Sequence, residues 1–231
     1  MKLSDRLQAV ASFVTPGLKV VDIGTDHGYV PMYLIKEKIS SYVIAMDINK
    51  GPILRAKAHI MEEGLTEYID IRISDGFEKI HIGEAKSAII AGMGGELIIK
   101  ILENGREIVE DLDELILSPH SEIASVREYL HKNNLKIEDE KMLIDEEKFY
   151  TIMKVTKGKD KAYSLEEYKY GAILIDRKDE VLMKYLKKEM EKLDKIITNL
   201  ENNSSCNTKA RLEELKDEKK MALCVIGKME A

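Results

Sequence analysis

Apolar residues recur in the first two thirds of the chain in a repeating order. A short β-branched run comes first, then an acid or glycine, then a longer stretch with helical spacing. Leu3, Leu7, Val10, Ala11 and Val14 share one helical face behind Ser4, a suitable N-cap, and Pro16-Gly17 ends that helix. Residues 18–23 and 42–47 are apolar runs carrying Asp22 and Asp47 at or near their ends, and read as the first two strands. A helix opening near Val30 follows the first. A helix over about 49–63, with Gly64 as its C′ residue, follows the second. Residues 69–74 alternate cleanly and predict strand three; 87–91 and 114–118 predict strands four and five. Between and after these, the spacing predicts a helix from Gly94-Gly95 through about Val109 and another over 123–131. Residues 135–144 and 149–156 come last, as two strands around a short acidic turn. This order predicts an α/β Rossmann-like fold: a mostly parallel sheet covered on both faces, with a terminal antiparallel strand.

The pattern changes near Lys157. All four prolines and most glycines precede it. From Tyr163 the spacing is helical through Tyr168, Ile173 and Leu174. Met183, Leu186, Met190, Leu193, Ile197 and Leu200 then form a heptad seam. After a polar turn at Asn202-Asn203-Ser204-Ser205, the residues Leu212, Leu215, Lys219, Ala222, Ile226 and Met229 repeat the same steps. Two such seams predict an antiparallel coiled-coil hairpin over 158–231, behind a ligand-binding domain over 1–157. Lys184, Lys187, Lys188, Lys192 and Lys195 lie on the hairpin's polar face among Glu189 and Glu191. They read either as a solvated face or as a hold on an RNA backbone.

Composition narrows the class. The chain has 231 residues, 44% hydrophobic and 34% charged, enough for one core and an appendage. No apolar run approaches the roughly 18 residues that span a bilayer, and no signal-peptide core opens the chain, so a cytoplasmic protein without a membrane partner is expected. Cys206 and Cys224 make neither a disulfide framework nor a metal spacing, and are expected to be buried or half-buried thiols with no metal bound. A net charge of −6 requires any RNA contact to use a local basic face or shape.

The residues that carry chemistry stand at strand ends. The turn through Asp22, Gly24, Thr25, Asp26, His27 and Gly28 joins a strand to a helix, a geometry that presents bare N–H groups and a positive helix end to a nucleotide-like ligand. It lacks the three glycines of a dinucleotide fingerprint. Asp47, followed by Ile48, lies about 25 residues beyond the first acid, where ribose hydroxyls are held. Asp75-Gly76, after strand three, offers an acceptor for an adenine amine or serves as a turn cap. Gly92-Met93-Gly94-Gly95, after strand four, allows close approach of a ligand to the backbone. Ser118-Pro119-His120 ends strand five.

Together, Leu3-Ser4-Asp5-Arg6-Leu7, the string from Asp22 through Pro31, Met46-Asp47-Ile48-Asn49, Asp75-Gly76, Gly92-Met93-Gly94-Gly95-Glu96-Leu97-Ile98 and Leu117-Ser118-Pro119-His120 carry a resemblance. The chain resembles class I S-adenosylmethionine-dependent methyltransferases and, more narrowly, the bacterial tRNA (adenine-22-N1)-methyltransferase (TrmK) family. The likeness covers essentially the whole chain. His120 departs from it, since that family commonly carries Asn after this proline.

The resemblance implies S-adenosyl-L-methionine as cofactor and tRNA as substrate, methylated at N1 of adenine 22. It implies that Asp22, Gly24, Thr25, Asp26 and Gly28 form the methionine-side loop and that Asp47 and Ile48 meet the ribose. It places Asp75 and Gly76 at the adenine, and Ala91, Gly92 and Met93 beside the sulfonium. Asp26, His27 and His120 are candidates for handling the proton of the target base. His27 is equally suited to stabilising its loop, and Tyr29 to stacking on a base or to packing.

Three alternatives stand beside this reading. One is a methyltransferase acting on another RNA or a small molecule. Another is an NAD-binding oxidoreductase, which preferential binding of a nicotinamide dinucleotide would favour. The third is a non-catalytic RNA-binding module built on the hairpin, which RNA affinity without methyl transfer would favour. No oligomer is indicated.

Overall fold

The computed structural model describes residues 3–202 and 208–231. It divides into two compact units, Met1–Lys161 and Ala162–Ala231. In the first, α1 (Asp5–Ser12), β1 (Val20–Ile23), α2 (Tyr29–Lys36), β2 (Val43–Asp47), α3 (Lys50–Glu62) and β3 (Ile69–Ile73) come in order. They are followed by β4 (Ser87–Met93), α4 (Gly95–Asn104), α5 (Arg106–Asp111), β5 (Glu114–Pro119), α6 (Ile123–Lys132), β6 (Leu135–Asp145) and β7 (Lys148–Lys157).

The strands form one seven-stranded sheet in the order β3-β2-β1-β4-β5-β7-β6. All neighbours are parallel except β7, which runs antiparallel between β5 and β6. The predicted Rossmann-like sheet with its terminal hairpin is therefore present. The apolar stretches of β1, β4 and β5 are buried on both faces, as central strands must be, and Asp22 interrupts the one in β1. Val10, Val14, Val20, Leu34, Ile60, Ile89 and Ile116 join into the core beneath α1, α2 and α3.

The predicted helix over 94–109 is two helices, α4 and α5, broken at Gly105. A Cβ there would run into the Phe77 ring, so the chain bends where Phe77 from the loop after β3 packs under it. β4 extends two residues further than its apolar run, to Met93, through an irregularity at Ala91 and Met93. The acidic turn between β6 and β7 holds Glu146 and Glu147 at φ 47° and 63°. Paired left-handed residues fit the right-handed twist of a two-residue hairpin.

The second unit holds α7 (Leu165–Tyr170), α8 (Ala172–Asp176), α9 (Glu180–Asn202) and α10 (Thr208–Glu230). Ser164 caps α7 reciprocally with Glu167. α9 and α10 pack antiparallel: Lys219 bonds Asp194 at 2.5 Å and Lys216 bonds Glu201 at 2.7 Å, later residues of one helix meeting earlier residues of the other. Leu193, Ile197 and Leu215 form their buried seam.

The seam departs from the strict heptad at one end, the end formed by the start of α9 and the close of α10. Leu182 is buried where Met183 is half-buried, and Val225 is buried where Ile226 is half-buried. The buried line is therefore not a strict heptad stripe, and α7 and α8 also pack on α10 in this unit. That line leaves Cys224 exposed, not buried as expected. The predicted turn residues Asn203, Ser204 and Ser205, and Cys206, lie outside the described residues. No helix among the described residues is long and apolar enough to cross a membrane.

Candidate active site

The chain leaves β1 toward β2 and β3, then returns to β4 on β1's other side. That reversal opens a crevice at the carboxyl ends of β1 and β4, the position where open α/β sheets bind ligands. Asp22 lies on β1 between Ala45 of β2 and Ile89 of β4. After Ile23 the backbone turns left-handed at Gly24 (φ 82°), Asp26 (φ 45°) and Gly28 (φ 73°), and α2 starts at Tyr29. The Gly24 and Thr25 N–H groups donate to the Met46 carbonyl at 2.8 and 2.9 Å, which ties the loop to β2. The φ of 82° at Gly24 is one that favours glycine, and a Cβ there would press on the movable end of the Met93 side chain, so β1's loop approaches β4's end closely.

The loop borders a cavity of about 110 Å³ lined by Asp22, Gly24, Thr25, Asp26 and His27, with Ile89 and Ala91 of β4 and Arg6 and Leu7 of α1. Burial pushes the Asp22 carboxyl up to about 6; hydrogen bonding from Thr25 opposes the rise and the charge of Asp47 adds to it. A carboxyl held this way gains when a cationic or donor-bearing ligand enters. The acid, the glycine turn and the exposed start of α2 fit the amino-acid end of S-adenosylmethionine.

Asp26 is turned away by α3. Its carboxylate pairs with Arg55 Nη2 at 2.7 Å and lies 3.4 Å from His27 Nε2. Both partners are largely exposed, so the pair adds little stability and serves to hold the loop. The His27, Tyr29 and His59 rings lie parallel within 17°, with centroids 5.2 to 5.7 Å apart. His59 Nδ1 donates to the His27 carbonyl at 3.1 Å.

Asp47, Ile48, Asp75 and Gly76 occupy the same sheet edge outside this cavity. Asp47 Oδ1 accepts from Asn49 N–H at 2.7 Å, and the Ser74 N–H donates to the Asp47 carbonyl at 3.0 Å, which joins the ends of β2 and β3. Asp75 and Ile48 are exposed, and Gly76 is buried at φ 52° against Ile101.

On the other side of β4, Gly92 adopts φ 81°. A Cβ there would stand 3.6 Å from Arg6 Nη1 and 3.9 Å from His120 Nε2. The His120 N–H donates to the Met93 carbonyl at 2.8 Å, and its ring tilts over Tyr150 at 5.6 Å. Partial burial, with the charges of Arg6 and Lys148, holds the His120 imidazole below the usual histidine range. Both effects favour the neutral imidazole. The glycine-rich string is only partly a ligand feature: a Cβ on Gly95 would stand 2.6 Å from the Ser121 carbonyl, so that glycine serves the packing of the β5–α6 loop.

The structure thus gathers Asp22, Gly24, Thr25, Asp26, His27 and Ala91 around one cavity, and His120, Gly92 and Met93 beside it. Arg6, Arg55, His59 and Tyr150 also belong to this edge, and sequence reasoning missed them as site residues. The one signal in the sequence is Arg6's place in the Leu3–Leu7 string.

A seven-stranded sheet in this order, with an acid and a glycine turn at the switch point, is the architecture of a methyltransferase domain, and residues 3–153 match the family model of that description. A tRNA (adenine(22)-N(1))-methyltransferase of Bacillus subtilis is 35% identical over 223 residues, 94% of either chain. The crystal structure of the B. subtilis M1A22 tRNA methyltransferase TrmK superposes with a TM-score of 0.88 at 34% identity, covering 97% of this chain and 99% of that one. A Streptococcus pneumoniae protein solved in complex with S-adenosyl-L-methionine is 29% identical, with a TM-score of 0.87 over 97% of this chain and 99% of that one. The chain belongs to the tRNA (adenine(22)-N(1))-methyltransferase family.

Proposed function

We propose that this protein transfers a methyl group from S-adenosyl-L-methionine to N1 of adenine 22 in tRNA. The observation that carries the reading is the likeness to the B. subtilis enzyme over 94% of both chains. The crevice at β1 and β4 supports it with a donor set suited to the cofactor.

In this reading Asp22, Gly24, Thr25 and Gly28 hold the amino-acid end of the cofactor on a loop that Asp26 braces through Arg55, Asp47 and Ile48 hold the ribose, and Asp75 and Gly76 the adenine. Ala91, Gly92 and Met93 flank the reacting centre. The cofactor supplies an electrophilic methyl group. Adenine N1 lies on the Watson–Crick edge, so the target base must be unpaired or turned out of its helix to reach the site. Its lone pair is available at neutral pH, which leaves positioning as a large part of the catalytic task.

Methylation at N1 makes the base's exocyclic amine acidic. A neutral imidazole beside Gly92 is suited to accept that proton, which assigns the task to His120. Asp26 is committed to Arg55, and His27 to the ring stack with Tyr29 and His59, so both act as loop-holding residues. The 1–157 domain then carries the chemistry. The 158–231 hairpin, with exposed Lys184, Lys187, Lys192 and Lys195, contributes to holding the RNA backbone. Binding of that kind weakens steeply with salt.

The test is incubation of the purified protein with labelled S-adenosylmethionine and unmodified tRNA, followed by nucleoside identification and mapping. 1-Methyladenosine at position 22, lost when that adenine is replaced, is the expected result. Label at another nucleoside or in a small molecule would shift the reading to a methyltransferase of different substrate.

A further inference from the structure

The string Leu3-Ser4-Asp5-Arg6-Leu7 has no part in the mechanism above, yet its arginine reaches the site. Ser4 Oγ accepts from Leu7 N–H at 3.3 Å and starts α1, which sets Arg6 in the helix's first turn. The Arg6 backbone N–H donates to Asp145 Oδ2 at 3.2 Å, at the end of β6. Its guanidinium lies 5.1 Å from the centre of the Tyr150 ring on β7. These contacts hold the side chain over the carboxyl edge of β4 instead of releasing it to water, and it lines the cavity with Asp22 and Gly24.

There the Nη1 atom is buried and has no hydrogen-bond partner among the described residues. Leaving a buried cationic donor unpaired is unfavourable, so a residue fixed in this way is completed by an acceptor from outside the chain. The charges around the cavity say which acceptor. Asp26 is already paired with Arg55, so the lining offers a ligand one uncompensated acid, Asp22, and one permanently charged cation, Arg6. S-adenosylmethionine carries a sulfonium, an ammonium and a single anionic group, its carboxylate. Asp22 complements the cationic end of the ligand, and Arg6 is left for the anion.

Resting on the methyltransferase reading, we infer that Arg6 is the receptor for the cofactor's carboxylate, its Nη1 donating to a carboxylate oxygen. A fork of parallel donors on a planar cation suits a carboxylate better than an ammonium does, so lysine is an incomplete substitute. Arg6 thereby couples the amino-terminal helix to cofactor occupancy.

The test compares S-adenosylhomocysteine with 5′-methylthioadenosine, which keeps the nucleoside and thioether but lacks both the carboxylate and the ammonium. Affinities are measured by calorimetry for the full-length wild type, Arg6→Ala and Arg6→Lys. The expected result is a roughly 10- to 100-fold weaker Kd for S-adenosylhomocysteine in Arg6→Ala, the size of a lost hydrogen bond to a charged group. Methylthioadenosine affinity is expected to stay within about twofold, and Arg6→Lys to recover part of the loss. A parallel loss for both nucleosides would make Arg6 a structural residue and overturn the inference. Unchanged S-adenosylhomocysteine affinity with weakened tRNA binding would assign Arg6 to an RNA phosphate and overturn it equally. A wild type that binds neither nucleoside would instead remove the methyltransferase reading itself, and the inference with it.

Discussion

Two buried carboxylates in the same sheet have opposite fates. Glu114, the first residue of β5, is 4% exposed at the amino end of the sheet. It accepts from Thr15 N–H at 2.8 Å, Thr15 Oγ1 at 2.5 Å, Ser87 Oγ at 2.9 Å and Lys154 Nζ at 2.9 Å. Burial alone would push its carboxyl up, but these donors outweigh burial and hold it below the usual carboxylate range. Asp22, 5% exposed near the carboxyl end of β1, is pushed up to about 6 because little in the protein answers its burial. One end of the sheet is a finished structural joint. The other carries an acid with little compensation and, in Arg6 Nη1, a cationic donor with no hydrogen-bond partner among the described residues, both facing a cavity. A site that binds a charged ligand keeps its polar groups for that ligand, and the apo protein bears the cost.

The pH dependence of stability separates the two ends. Glu114, with its lowered folded-state pKa, contributes stability that is present above its unfolded value of 4.5 and lost as the pH falls through the folded one. For Asp22 the sign is reversed. Between its unfolded value of 3.8 and about 6 the folded state holds the extra proton, so stability falls as the pH rises through that window. Above about pH 6 the full cost is present, on the order of 3 kcal/mol as an upper bound.

The largest expected effect is at the finished joint. Glu114→Ala leaves Lys154 and the Thr15 and Ser87 donors without their acceptor, and should lower the unfolding free energy by about 3–5 kcal/mol. Denaturant titration measures it, and kcat/KM per folded molecule should hardly change. A loss below about 1 kcal/mol would erase the contrast between the two ends.

At the open edge the effects fall on binding. Asp47→Ala should weaken S-adenosylhomocysteine binding by roughly 10- to 100-fold, the size of lost hydrogen bonds to a charged acceptor. Filter binding should find tRNA affinity intact, because the assigned contact is to the cofactor's ribose alone. The smallest effect concerns His120. Its NMR titration should have a midpoint below 6.5, and Lys148→Ala should move that midpoint upward by removing one of the neighbouring charges that oppose protonation. If His120 takes the base proton, the acid limb of kcat/KM shifts upward with it.

Hydrophobic spacing alone makes most of the first unit legible. β1 to β5 and the helices between them follow from short apolar runs alternating with helical faces, and the two-strand ending from alternation around an acidic turn. What is not legible depends on partners far along the chain. The break at Gly105 exists because Phe77 packs beneath it, which no local pattern states. Glu114 reads as an ordinary strand start until Thr15, 99 residues away, meets it.

The same limit applies to the site. The acids and glycines at strand ends are visible because the fold brings successive strand ends to one edge. Arg6 is not, because a charged residue in the first turn of an amphipathic helix looks solvated. Its placement depends on the Tyr150 ring beside its guanidinium and on Asp145, 139 residues away, which accepts from its backbone N–H. In the hairpin the heptad steps predict the helices, while Leu182 and Val225 are the buried residues in place of the half-buried Met183 and Ile226.

The most direct test of the contrast is the unfolding free energy of Asp22→Asn against wild type at pH 7.5, without ligand and again at one saturating concentration of S-adenosylhomocysteine. The account predicts a change of sign. Without ligand the variant is the more stable protein, because a neutral side chain replaces a carboxylate buried with little compensation. With ligand the wild type is the more stable, because tighter binding adds more to its folded state. A variant less stable than wild type in both conditions would contradict the claim that this edge gives up stability to hold its cofactor.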